Sequence, residues 1–314
     1  MSFKLGILDL IRAGGRAVSR YTGTVLALFI AQSLVAGVAI VTIAQILAAE
    51  FARRPIFDDA VDGDLVALVH VVNDAPHVIW ASAWVVLGVV LLWMVASWFL
   101  TGGVLAVIAE RPDGRAATAR CFGAGGANTF LSFISLQVLS LVAYLPALFV
   151  LGFGLAWGLD RSEYALTLGD VLSGIGLGIL PGLLALVVAG TIVDYARVEL
   201  ALRKSTHELG AIGAFVRAIG FVMTNPITLL HSLIGWLVAI AIGLGYAWLA
   251  HGRSLHGGSG ALTILVIRQG LSLLRVAIKV GVLGGQVELG QTRPPPPRRQ
   301  PVEAEATVRA RPRR

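Results

Sequence analysis

Six long apolar stretches, separated by shorter polar segments, dominate the pattern of hydrophobic and polar positions along the chain. They cover about 23–49, 78–109, 130–154, 171–193, 227–250 and 261–285. A helix rises about 1.5 Å per residue, so about 20 apolar residues cross a bilayer core about 30 Å thick. Each stretch meets that length and predicts a transmembrane helix. The first exceeds the roughly 7–15-residue apolar core of a signal peptide and lacks a convincing cleavage site, so it reads as an uncleaved anchor.

Weaker periodicities between the spans predict surface helices. Val61, Leu65, Leu68, Val69 and Val72 share one face of a helix over about 60–74, with Asp58 or Asp59 as cap and Pro76 as stop. The acids Asp58, Asp59, Asp62 and Asp64 invite a calcium reading, but their spacing does not match an EF-hand loop. Capping and a solvated acidic face are expected instead. Ser205 and Glu208 have capping-box spacing, and Leu209, Ile212, Val216, Ile219 and Met223 then line an amphipathic helix over about 205–224, with Arg217 off that face. Asn225 and Pro226 restart the chain as the fifth span.

The N-terminal segment 1–22 is similar, with Phe3, Ile7, Leu10 and Ile11 apolar and Arg12, Arg16 and Arg20 spaced by four. Residues 115–128 hold the equivalent place before the third span, although Gly123, Gly125 and Gly126 weaken their helix propensity. A threefold plan results, each unit an amphipathic segment followed by a two-span hairpin. The hairpin ends rhyme: Gly102, Gly103 and Glu110; Gly190 and Glu199; Gly284, Gly285 and Glu288. Small residues there allow close helix contact. Pro146 and Pro181, in the third and fourth spans, read as candidate helix interruptions of the kind that line transporter sites.

Composition agrees with the pattern. Of 314 residues, 56% are hydrophobic and 14% charged, against about a quarter charged in a soluble domain. With a mean hydropathy of +0.81, this excludes a soluble enzyme with one buried core and disorder over most of the chain. The single cysteine, Cys121, excludes a disulfide framework.

The net charge of +7 adds orientation. Eighteen of the 25 basic residues fall in the N-terminal segment, in the second and fourth connections and in the tail, whereas Arg53, Arg54, Arg161 and Arg253 fall in the other connections. By the positive-inside rule both termini are expected in the cytoplasm. Trp80, Trp84, Trp157 and Trp248 sit near outer span ends and Trp98 near an inner end, as interfacial anchors, while Trp93 and Trp236 are mid-span and expected to pack. The tail, 291–314, holds seven arginines among prolines and predicts a disordered basic segment. Electrostatic attachment to anionic headgroups of membrane lipids at the inner face follows. Nucleic acid is not an expected partner, because no aromatic interleaving accompanies the charge. The Ala, Gly and Arg-rich composition suits a bacterial gene, which places the expected location in a bacterial cytoplasmic membrane.

The "DGDLVALVHVVNDAP" segment, the "DYARVEL" stretch from Asp194 to Leu200 and the six-span layout resemble a broad group of bacterial membrane proteins without assigned chemistry. These are similar in outline to the membrane domain beside some glycerophosphodiester phosphodiesterases and to YciC-like proteins. The resemblance covers roughly 1–290 and implies a helical membrane domain. The soluble phosphodiesterase domain has no counterpart, so its hydrolytic activity is not implied.

The sixth span carries the candidate chemistry. Arg268, Ser272, Arg275 and Lys279 are separated by four, three and four and form one polar stripe, extended by Gln286. A basic residue at the bilayer centre costs about 2.5–3.5 kcal/mol on insertion scales, which marks it for function. Two readings stand: a polar path or anionic-ligand pocket, and structural pairing with Arg268 and Lys279 snorkelling to the two surfaces. Asp194 is the natural partner for Lys279 or Arg275, with Arg197 and Glu199 following it. The six histidines are scattered without a close ligand motif, so no metal site and no cofactor are expected. No hydrolase elbow, Walker loop or zinc-peptidase helix occurs, and an enzyme is not expected. The chain therefore reads as an all-α, six-span helical bundle with interfacial amphipathic helices. Its expected role is a non-enzymatic scaffold or accessory subunit that binds lipids or membrane-protein partners. The alternative is a transporter or lipid-handling protein that binds an anionic substrate at the stripe.

Overall fold

The apolar stretches form the long helices they predict, and the elements between them are helical too. The computed structural model describes residues 6–51, 70, 75–163, 167–202, 210–250 and 258–292. Among these, all regular structure is α-helix: α1 (Ile7–Arg20), α2 (Thr22–Phe51), α3 (Pro76–Glu110), α4 (Arg115–Ser162), α5 (Leu168–Leu202), α6 (Ala211–Thr224), α7 (Pro226–Ala250) and α8 (Gly258–Gln291). Five of them, α2, α3, α4, α5 and α7, are long and apolar enough to cross a membrane. The sixth expected span, α8, is 34 residues long and carries the basic stripe. The helix expected over 60–74, the capping box at Ser205 and Glu208, and the tail beyond Thr292 lie outside the described residues.

Two expectations about breaks are overturned. Residues 115–128 and the third span are one continuous 48-residue helix, about 72 Å long and more than twice the bilayer core. Gly125 and Gly126 do not interrupt it because they are contact points with α3, while Gly123 faces open space. A Cβ at Gly126 would lie 2.7 Å from the Phe99 carbonyl oxygen, and one at Gly125 would strike the Ala106 methyl. Pro146 and Pro181 also lie inside continuous helices, so neither marks a broken span.

The threefold plan is visible in how the units pack. Each hairpin, α2–α3, α4–α5 and α7–α8, is internally paired, and the second helices α3, α5 and α8 touch one another in the middle. The amphipathic segment that opens each unit packs on the second helix of the unit before it. The first turns of α4 lie on α3, α6 lies on α5, and α1 closes the ring on α8. Gly102 and Gly103 of α3 face Thr129 and Phe122 of α4, and Gly284 of α8 faces Ala17 and Gly14 of α1. These are the rhyming hairpin-end glycines, used for close approach.

Burial is concentrated at the end of the bundle that carries α1 and α6. Val104, Leu105 and Val107 of α3, Val193, Ala196 and Val198 of α5, and Val280, Leu283 and Val287 of α8 are all buried there. In α1 and α6 the buried face is not the face of most of the large aliphatic residues. In α1 the buried residues are Leu10, Ala13, Gly14 and Ala17, while Leu8 and Ile11 are exposed. In α6, which starts at Ala211 after the extended Gly210, Ala214, Phe215, Ala218, Phe221 and Val222 are buried and Ile212, Val216 and Met223 are exposed. Each buried face combines small residues, which allow close helix contact, with one or two large ones: Leu10 in α1, Phe215 and Phe221 in α6. Leu8, Ile11, Ile212, Val216 and Met223 are left outward, as suits a surface meeting lipid.

Tryptophans divide in the same way. Trp80, Trp84, Trp157 and Trp248 are exposed, but Trp98 is a core residue at 9% exposure and Trp236 is 51% exposed. Depth along a span says nothing about which way a side chain points, and here the azimuth decides.

Candidate functional site

The basic stripe is defined by helix geometry. Arg268 and Gln286 are about five whole turns apart, and Ser272, Arg275 and Lys279 fall on the same face between them. Toward the α1/α6 end that face is sealed: Gln286 has 0% exposure. Further along the helix it opens, with Ser272 half-buried and Arg268, Arg275 and Lys279 exposed. The stripe therefore points to the bundle interior at its sealed end and is exposed at the surface of α8 beyond it.

Two members of the stripe also meet neighbouring helices. A Cβ at Gly243 of α7 would lie 3.2 Å from Arg275 Nη2, so the guanidinium lies against a gap in α7. Lys279, one turn on, is surrounded by the bundle on most sides yet stays accessible, and Asp194 and Arg197 of α5 act on it electrostatically.

Asp194 is not directly paired with the stripe. Its carboxylate accepts a hydrogen bond from Arg197 Nη1 at 3.1 Å, one turn along the same helix. Arg197 Nη2 also donates to Gln137 Oε1 of α4 at 3.3 Å. The expected Asp194–Lys279 or Asp194–Arg275 ion pair is thus replaced by a pair within α5, with Lys279 at longer range. Among the described residues Arg268, Arg275 and Lys279 form no ion pair. One carboxylate, Asp194, faces two nearby cations, Arg197 and Lys279, and the stripe keeps an excess of positive charge.

Glu199 follows a separate course. Its side chain is 3% exposed and pairs with Arg217 Nε of α6 at 3.0 Å. It pins α6 to α5 and takes no part in the stripe. Gln286 has both side-chain polar atoms buried without a hydrogen-bond partner, as has His231 Nδ1. A Cβ on Gly285 would lie 2.6 Å from His231 Nε2, so the His231 ring sits in the gap this glycine leaves. No group of three or more His, Cys, Asp or Glu among the described residues is placed to hold a metal ion.

Two features went unread in the sequence. The first is the glycine contact between α4 and α5, where Gly154 and Gly158 face Gly178, Gly174 and Ile175, and Gly182 lies on Leu151. Its signal is the spacing of four in "GLAWG" and "GIGLGILPG". The second is a set of ion pairs at the α1/α6 end, Arg20–Asp113 at 2.7 Å and Arg111–Glu288 at 2.8 Å. These join residues far apart in the chain and have no local signal.

Compared with known protein families, curated proteins and solved structures, the chain matches none.

Proposed function

We propose that the protein is a six-span bacterial cytoplasmic-membrane protein that handles an anionic lipid or solute along the α8 stripe, with both termini, α1 and α6 on the cytoplasmic side. One observation carries this reading: Arg268, Arg275 and Lys279 are accessible and without an ion-pair partner among the described residues, because Asp194 is engaged by Arg197. Unpaired cations at membrane depth are costly, and a bound anion offsets that cost. The basic residues at the α1/α6 end support its cytoplasmic side.

A second reading, a scaffold or accessory subunit for lipids or membrane-protein partners, rests on the seal at Gln286, Leu283 and Val287. A dry core across α3, α5 and α8 leaves no continuous route through the bundle in this conformation.

The test is thermal unfolding of the purified full chain in detergent, with inorganic phosphate or glycerol phosphate compared with chloride at equal ionic strength. The anion-handling reading expects a rise in midpoint with the phosphates, and its loss in the Arg275→Ala/Lys279→Met double variant. Equal midpoints in phosphate and chloride, or a rise that survives the double variant, would leave the scaffold reading standing.

A further inference from the structure

A second cavity, away from the stripe, lies where the α1–α2 junction meets the turn between α3 and α4. Its volume is about 770 Å³, enough for more than a solvated ion. One end is polar and positive. Arg20, Arg115 and Thr118 line it, and Arg115 is exposed and forms no ion pair among the described residues. The negative group present is Asp113, which is held by Arg20: Nη2 donates to Asp113 Oδ1 at 2.7 Å and to the Arg111 carbonyl oxygen at 3.3 Å. An adjoining cavity of about 370 Å³ shares Arg20 and adds Arg16, Arg111 and Glu288, the last two paired with each other. The balance over the polar end is positive.

The other wall is apolar and belongs to a membrane-crossing helix. Leu26 and Ala27 of α2 and Phe122 of α4 line it, directly beyond the arginines. Leu26 and Ala27 are exposed. The cavity therefore joins a cationic pocket at a helix end to an apolar channel along the first turns of a span. A free phosphate uses the first half alone, whereas a phospholipid uses both.

We propose that this groove is a binding site for one anionic glycerophospholipid, its phosphate held by Arg20 and Arg115 and an acyl chain laid along α2 against Leu26, Ala27 and Phe122. The site is independent of the α8 stripe and shares no residue with it. Charge complementarity selects an anionic headgroup over a zwitterionic one. The apolar wall selects a lipid over its soluble headgroup. Arg20 has a double part, since it also clasps the α3–α4 turn through Asp113, so bound lipid sits against the joint between the first two units.

Gly23 provides a clean way to close the groove. It lines the cavity, and a Cβ added there meets nothing within 4 Å, so a larger side chain fills the groove without displacing protein atoms. The experiment is native mass spectrometry of the purified full chain titrated with phosphatidylglycerol or phosphatidylcholine, with and without excess glycerol phosphate. The expected result is preferential retention of one phosphatidylglycerol. Arg115→Ala lowers that retention about fivefold, the size of one basic contact near a lipid surface, and Gly23→Phe lowers it without changing any charge. The stripe variant Arg275→Ala/Lys279→Met keeps it, so failure here and failure of the stripe reading are separate results. Equal retention of the two lipids, full retention in both groove variants, or displacement by glycerol phosphate would overturn the proposal. Because Arg115 forms no ion pair among the described residues and a Cβ at Gly23 meets open space, both variants are expected to fold, which their thermal midpoints check.

Discussion

Asp194 and Arg197 stand one turn apart on α5, and their side chains meet at 3.1 Å. This short link decides the character of the stripe, because it occupies the carboxylate closest to Lys279. A cation that shares an acid at long range keeps more capacity for an external anion than one in a direct pair.

The relationship is measurable as a coupling energy. Asp194→Asn is expected to lower folded yield, since it removes the negative charge and leaves the Arg197 guanidinium facing neutral amide oxygens at positions 194 and 137. In double-mutant cycles read by thermal unfolding, the Asp194–Arg197 coupling is expected at about 1–2 kcal/mol and to exceed the Asp194–Lys279 coupling. A charge exchange between Asp194 and Lys279 that restores wild-type stability would reverse the assignment.

Glu199 and Arg217 form the more deeply buried pair. Glu199→Ala takes the 3%-exposed carboxylate away from Arg217 Nε at the α5–α6 interface, and losing one member of a buried pair costs about 3–5 kcal/mol. Replacing both, by Glu199→Gln with Arg217→Met, is expected to recover much of that loss. If the single and double variants unfold at the same temperature, α6 is held by its apolar face alone.

How much of this was legible in the sequence differs from one feature to the next. The long helices follow directly from apolar runs about 20 residues long or more, because nothing else satisfies the backbone in lipid. The common face of Arg268, Arg275 and Lys279 follows from spacing alone. The packing faces of α1 and α6 do not, because apolar residues lie all round these helices and only the neighbouring helix decides which of them are covered. Ile11 and Ile212 lie outward, while Ala13 and Ala218, which no hydrophobic periodicity singles out, are buried in the contacts. The partner of Asp194 was sought on another helix, although its own next turn supplied one. Arg20–Asp113 and Arg111–Glu288 depend on which units become neighbours, and no local pattern encodes that.

The glycine contacts make a prediction with its control on the same helix. A Cβ at Gly178 would strike the Gly154 carbonyl, whereas one at Gly176 meets nothing within 4 Å. Gly178→Leu is expected to destabilise the bundle by about 1–3 kcal/mol, the usual cost of overpacking, and Gly176→Leu to leave it unchanged. Gly14 and Gly15 of α1 form a second such pair, with Gly14 against Gly281 and Gly15 open. Thermal midpoints that fall equally within each pair would show helix propensity, rather than close contact, to be the cause.

Access along α8 separates an aqueous crevice from a lipid-facing stripe. In a Cys121→Ser background, single cysteines replace Arg268, Arg275, Lys279 and Gln286, and a charged, membrane-impermeant thiol reagent is applied to the reconstituted protein. Such a reagent reaches water-filled space and not hydrocarbon, so exposure to lipid alone gives no labelling. Labelling is expected at the first three positions and not at Gln286, which shares their face but lies in the sealed core with 0% exposure. Inorganic phosphate is expected to slow the reaction at positions 275 and 279, because a bound anion both screens and covers them. Absence of labelling at all four positions would assign the arginines to the lipid boundary, where snorkelling accounts for them, and would remove the ground for anion handling. Rapid labelling at Gln286 would show that the core across α3, α5 and α8 opens, and would count against the scaffold reading.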